Sequence, residues 1–440
     1  ERGIPMMCFY GVGNHGGGPT KRTLQQIQKR MASDESLLFS SPEAYFKDAE
    51  SCGKDLPVYR GDLQHHASGC YSTASALKRN NRKAENLLSN AEKLMTIAHA
   101  KLGLEYCGEK IQDAWKDVLF NQFHDVMGGC CIKDSIEDAL LFYGEARSIG
   151  ERVLNAAAQK LSWYVDTMKG LNLYRSKEHD WMLWGDRENG TPVVVFNPLS
   201  WEADMPVQIS KLVSGVEDDE ECPLPLQKIR GQQTNVDDKW NTLFIAKVPA
   251  FGYRLYWIFY ESRREAKGFA PLKTTGPNVA ENEYTHLEID PGTGCIKSLF
   301  DKKRNTEIIR QGAVPEVIDI SNCDTWAHGV FRFKEKIAEF GNARVEMIEN
   351  GPVRTVIRAV SSYNRSELRQ DYILYEGRPG VEVRVRLDWR EQYKMLKLSF
   401  PVSVESPQAT YEIPYGFLER TTDGEEQPGQ SWVDLSGENG

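Results

Sequence analysis

A chain of 440 residues is too long for one hydrophobic core and is expected to divide into about two to four domains. Its 40% hydrophobic, 27% charged and 10% aromatic content is that of an ordinary globular protein, and no stretch approaches the ~20 apolar residues that cross a bilayer. A formal net charge of −9 argues against nucleic-acid and membrane partners, which reward clustered positive charge, and is compatible with a neutral substrate.

The chain opens on Ile4-Pro5-Met6-Met7-Cys8-Phe9-Tyr10, an apolar strand without the basic flank of a secretory signal. A strand already inside a domain predicts a chain shortened at its start. A glycine-rich turn follows over 11–18, then a helix over 21–31, a strand at 37–39, a helix opened by Ser41-Pro42-Glu43, and a strand at 56–59. Alternation of this kind predicts a parallel sheet with sites at its strand C-terminal ends.

From 71 to 167 the period becomes helical. Leu77, Ala84, Leu88, Ala91, Leu94, Met95, Ala98 and Leu102 mark one helix, which Gly103 ends. Ile111, Trp115, Val118 and Gln122 mark a second, and Ile136, Leu140, Tyr143, Leu154, Ala157 and Leu161 a third, so a three-helix bundle is expected. After Asn189-Gly190 the pattern is β, with strands at 193–196, 243–246, 284–289 and 381–387. Asp290-Pro291-Gly292-Thr293-Gly294 and Asn350-Gly351-Pro352 punctuate it, and antiparallel sandwiches follow. The segment 262–282, rich in Lys, Gly and Pro, reads as a linker between two β units.

Nine cysteines, an odd number without a C-x-x-C pair, read as the reduced thiols of a cytoplasmic protein. Of eight histidines, three lie near the junction of the α/β and helical parts: His65, His66 and His124. On a continued second helix, His124 projects away from the Ile111–Gln122 face, toward another surface. Each candidate has an ordinary alternative. His124 reads equally as a hydrogen-bonded interface histidine, His65-His66 as a solvated loop pair, and Asp62 as a turn carboxylate. The 11–18 run lacks both the P-loop and dinucleotide spacings, which argues against phosphate binding. Cys130-Cys131 read as buried small hydrophobes.

Taken in order, five segments resemble glycoside hydrolase family 38. The most specific is Phe120-Asn121-Gln122-Phe123-His124-Asp125, similar to the family's F-N-Q-F-H-D. Upstream stand Tyr10-Gly11-Val12-Gly13-Asn14-His15-Gly16-Gly17-Gly18 and Gly61-Asp62-Leu63 through Gly69-Cys70-Tyr71-Ser72-Thr73, which look like the bacterial and cytosolic branch. Downstream are Phe196-Asn197-Pro198-Leu199-Ser200-Trp201 and Tyr411-Glu412-Ile413-Pro414-Tyr415-Gly416. The resemblance implies a multidomain α+β chain: the end of an α/β catalytic barrel over 1–66, a three-helix bundle over 67–168, a first β-sandwich over 190–265 and a second, unfinished one over 280–440.

It further implies a zinc-dependent retaining α-mannosidase releasing terminal α-linked mannose, with an α-mannoside oligosaccharide as partner and the homo-oligomeric state left open. His124 matches a zinc ligand, Asp125 a carboxylate gripping sugar hydroxyls, and Asp62 the general acid/base. Asn14, His15, His66 and Tyr71 fall among the substrate-contacting positions, although Asn14 and His15 stand where acidic residues are common. The family's His-x-Asp zinc pair and its nucleophile lie upstream of the glycine-rich turn, and no His-x-Asp occurs in this sequence. The expectation is a truncated piece, inactive by itself, with one zinc ligand where about four are needed. Two alternatives remain: a carbohydrate-binding or structural piece without catalysis, and a sugar epimerase-like enzyme using His328 of Asp324-Thr325-Trp326-Ala327-His328 in the β region.

Overall fold

The computed structural model describes residues 6–12, 17–52, 58–59, 67–167, 190–234, 239–260 and 269–438. The chain divides into two compact units, 1–63 and 64–440. In the first, helix α1 (Lys21–Met31) starts where the Thr20 hydroxyl accepts the Thr23 N–H at 3.1 Å. Helix α2 (Pro42–Cys52) starts from Ser41, whose Oγ accepts the Ala44 N–H at 3.2 Å, with proline at the first helical position. The expected strands at 6–10 and 37–39, and residues 58–59 of the expected strand at 56–59, do not form. Phe9 and Leu38 are exposed instead. A strand needs a neighbour to take its N–H and C=O groups, and no partner strand lies among the described residues of this unit.

In the second unit three long helices pack together: α3 (Ser75–Leu102), α4 (Gly108–Asn121) and α6 (Lys133–Ser162), with a single turn, α5 (His124–Met127), between the last two. Leu77, Leu88 and Met95 of α3, Ile111 and Val118 of α4, and Tyr143 and Val153 of α6 close a common core. Gly103 ends α3 at φ +65°, a left-handed cap in which its N–H reaches His99 O at 3.0 Å. This is the apolar spacing read from the sequence, with one difference: α4 stops at Asn121, so His124 does not continue it.

Beyond residue 190 the sheets are antiparallel throughout. Two three-stranded sheets, built around Gly252–Phe259 and Trp240–Val248, enclose Phe244, Val248, Tyr256 and Ile258. A five-stranded sheet containing Thr285–Ile289 faces a four-stranded sheet containing Arg354–Tyr363 and Ser366–Tyr375, with Leu287, Ile289, Ile357, Tyr372 and Leu374 between them. Two smaller three-stranded sheets complete the β region, one formed by Val314–Asp319 with Lys336–Glu339 and Lys394–Ser399.

The expected linker at 262–282 is corrected in its second half. Lys273–Thr274 and Val279–Glu281 are strands of the five-stranded sheet, and buried Asn282 donates to Tyr375 O and Arg378 O, both at 2.7 Å. Lys and Pro at a sheet edge resemble a linker in composition because the outermost strand faces water.

Candidate active site

His124 and Asp125 are placed by the way α4 ends. Buried Asn121 donates to Ala139 O of α6 at 3.1 Å, and Gln122 donates to Asn81 Oδ1 at 3.1 Å and Glu85 Oε1 at 2.8 Å of α3. Pinned by these bonds, the backbone leaves the helix at Phe123 (φ −51°, ψ 134°) and restarts as the α5 turn. The outward direction expected of His124 holds, but not by continuation of α4. His124 faces outward because the helix breaks before it.

The His124 side chain is 70% exposed and that of Asp125 47% exposed, with Nε2 and Oδ1 at 3.6 Å, too long for a hydrogen bond. Behind them the turn is held rigidly. Lys78 donates to Met127 O at 2.8 Å and to Thr73 O. Cys130 donates its thiol to Asp125 Oδ1 at 3.4 Å. Burial, reinforced by that carboxylate, pushes the Cys130 thiol up to about 11, so it remains a protonated donor at neutral pH. This corrects the reading of Cys130-Cys131 as buried hydrophobes: both are half-buried, and Cys130 restrains Asp125.

A second group arrives from the β region. The loop between Val314–Asp319 and Lys336–Glu339 carries Trp326, whose ring centroid lies 6.4 Å from that of His124. His328 stacks on Trp326 at 5.6 Å with an interplanar angle of 6°. The short segment Ser68–Tyr71 fastens this loop. Ala67 bridges His328, the Gly69 N–H donates to Trp326 O at 3.1 Å, and Ser68 Oγ donates to Val330 O at 2.6 Å. Gly69 has no alternative here, since a Cβ would stand 2.5 Å from Thr325 O. The sequence reading gives Trp326 no role and His328 only an epimerase role. The available signal was Asp324, which caps its own turn by accepting the Ala327 N–H at 2.8 Å and so presents two rings on a fixed loop.

Asp62, Asn14, His15, His65 and His66 lie outside the described residues. Tyr71 is described, and 45% exposed. It lines a cavity of about 300 Å³ with Ser68, Phe333, Met395, Lys397 and Glu426, a lining that does not include His124 or Asp125. Among the described residues no group of three or more His, Cys, Asp or Glu side chains could hold a metal ion. They therefore do not complete a metal centre. Among the described residues no helix is long and apolar enough to cross a membrane.

Comparison with known proteins gives this arrangement its context. Residues 65–161 match the α-mannosidase middle domain, and residues 280–440 the C-terminal domain of glycosyl hydrolases family 38. The chain is 27% identical over 452 residues to alpha-mannosidase 2C1 of Mus musculus, covering 97% of this chain and 39% of the relative. It is 25% identical over 468 residues to alpha-mannosidase G of Dictyostelium discoideum, covering 98% and 41% respectively. The chain thus spans about two fifths of the length of these relatives. A crystal structure of an α-mannosidase from Enterococcus faecalis V583 shares its fold, with a TM-score of 0.72 at 16% identity over 94% of this chain and 55% of that one. With a helical segment and a β region matched to two successive domains of one family, the chain belongs to the glycoside hydrolase family 38 α-mannosidases and carries their middle and C-terminal domains.

Proposed function

We propose that this chain forms part of a zinc-dependent retaining α-mannosidase that removes terminal α-linked mannose from oligosaccharides. One observation carries the reading: His124 and Asp125, in the segment most similar to the family's site motif, stand exposed on a braced turn outside the helical core. In this reading His124 is one ligand of the metal, and the other ligands and the nucleophile come from outside the described residues. The described side chains do not complete the site of that metal.

Asp125 has a task its surroundings suit. A carboxylate offers about four acceptor positions, and the Cys130 thiol occupies one of them. Others can accept from sugar hydroxyls, fixing the ring while its anomeric carbon is attacked. A retaining enzyme then needs two carboxyl groups about 5 Å apart, one attacking that carbon and one protonating the departing oxygen. Asp62 is proposed as the acid, and Asn14, His15, His66 and Tyr71 as further substrate contacts. Residues 1–66 are proposed as part of the catalytic barrel, and the setting as cytoplasmic.

The test is turnover of an aryl α-mannoside by the full-length gene product beside the 440-residue chain. The chain by itself is expected to be inactive, since its sequence holds no His-x-Asp. In the full-length product His124→Ala and Asp125→Asn each lower kcat/KM at least 100-fold with folding intact, and His124→Ala also lowers the zinc content. Undiminished turnover in both variants overturns the reading.

A further inference from the structure

We infer that Trp326, stacked parallel to and offset from His328, takes the C–H face of a hexose held by Asp125, so that the β region supplies a sugar-specificity residue to a site whose polar groups come from the helical region. This rests on the mannoside reading above. A pyranose presents both apolar C–H patches and outward hydroxyls, and sites that hold small polar ligands pair an apolar wall with a few placed polar groups. Here the wall and the polar groups come together: the Trp326 ring is 6.4 Å from His124, and Asp125 Oδ1 is 3.6 Å from the same imidazole.

Core packing among the described residues does not explain the ring. Trp326 and His328 belong to none of the apolar clusters that fill the helical and β regions, whereas Ala327 between them is buried at 3% exposure. The loop sinks its alanine and keeps Trp326 half-buried and His328 exposed. It does so at a local conformational cost, because Ala327 has φ +50°, a region that β-carbon-bearing residues rarely adopt. Four attachments hold it there: the Ala67–His328 bridge, Gly69 N to Trp326 O, Ser68 Oγ to Val330 O, and the Asp324 cap. A side chain held to this degree beside His124, itself next to the exposed Asp125 carboxylate, is suited to orient a ligand. His328, stacked behind Trp326 at 6°, fixes the tilt of the indole.

Titration of the full-length gene product with methyl α-mannoside, followed by proton NMR, tests this. In the wild type the sugar's ring C–H protons shift upfield as binding saturates, because they sit over an aromatic face. Trp326→Ala abolishes that shift and weakens binding about 3- to 10-fold, as expected for a lost ring contact, while Trp326→Phe retains most of both. His328→Ala leaves all four loop attachments in place, since its bridge to Ala67 is made by the backbone, and weakens binding at least twofold; it serves as the second variant if Trp326→Ala does not fold. Unchanged affinity and shifts in Trp326→Ala, or in His328→Ala where that variant stands in, overturn the inference. If Asp125→Asn abolishes binding at the same time, the mannoside reading survives that failure. If Asp125→Asn binds like the wild type while Trp326→Ala does not, the aromatic contact stands and the role of Asp125 falls. Absence of saturable binding by the wild type overturns both.

Discussion

At the scale of single residues, the site depends on positions that do no chemistry. Gly69 is the sharpest case. Its N–H holds the Trp326 carbonyl, and a methyl group there would lie 2.5 Å from Thr325 O and 3.0 Å from Ala327 Cβ. The contact is with backbone and cannot be relieved by a rotamer change. Gly69→Ala is therefore expected to cost about 1–3 kcal/mol in a denaturant melt and to displace the Trp326 loop. The displacement reads out as loss of the Trp326-dependent shift of a bound mannoside, and an unchanged melt and shift would refute the argument. The motif Gly69-Cys70-Tyr71 was visible in the sequence, but the reason for its glycine lies 256 positions away in the chain.

At the scale of elements, the helices were legible and the reason is periodicity. Leu77, Ala84, Leu88, Ala91, Leu94, Met95 and Ala98 return to one side of α3 at steps of three, four and seven residues, and all are buried there. The close approach of α6 to α3 was less visible. Gly150 sits in the middle of α6, where glycine costs helix stability, and a Cβ there would meet Leu87 at 3.0 Å and Leu88 at 3.1 Å. Glycine is present because the two helices touch. Gly150→Leu is expected to force them apart and lower stability by about 2–4 kcal/mol, checked as a shift in urea midpoint. Gly150→Ala asks only for a few tenths of an ångström from a leucine, so its effect is expected to be much smaller.

The ends of elements were harder to read than their middles. The helical pattern through Ile111 and Val118 carries no sign that α4 stops at Asn121, because the stop is made by hydrogen bonds to α3 and α6. Similarly, the β-rich residues 6–10 and 37–39 satisfy local preference yet form no strand among the described residues. Strand propensity expresses fit to a neighbouring strand, which the local sequence does not supply.

At the scale of the molecule, the β units are joined by polar groups as well as by packing. Gln227, buried at 5% exposure in the first pair of sheets, accepts the N–H of Val353 at 3.2 Å and of Arg354 at 2.9 Å from the second. Gly351 leaves room for it, since a Cβ there would meet Gln227 Cδ at 2.5 Å. Around this contact Ile229, Leu243 and Val353 form a small apolar cluster. Gln227→Ala strands two buried donors and is expected to cost about 1–3 kcal/mol and to broaden the unfolding transition as the units uncouple. A melt with unchanged midpoint and slope would show that the glutamine is incidental.

Local pattern was enough to determine the helical middle, the antiparallel sheets beyond residue 190 and the family to which they belong, because side-chain period and short motifs are written within a few residues of one another. The company kept by His124 was decided only by tertiary structure. The sequence pointed to carboxylates upstream, and those candidates fall outside the described residues, whereas Trp326, some 200 positions downstream, stands beside the imidazole with His328 stacked on it. Their approach depends on one loop fastened to another by Gly69, Ser68 and Ala67. Such an encounter is set by packing between distant segments, and no local rule of spacing or propensity encodes it.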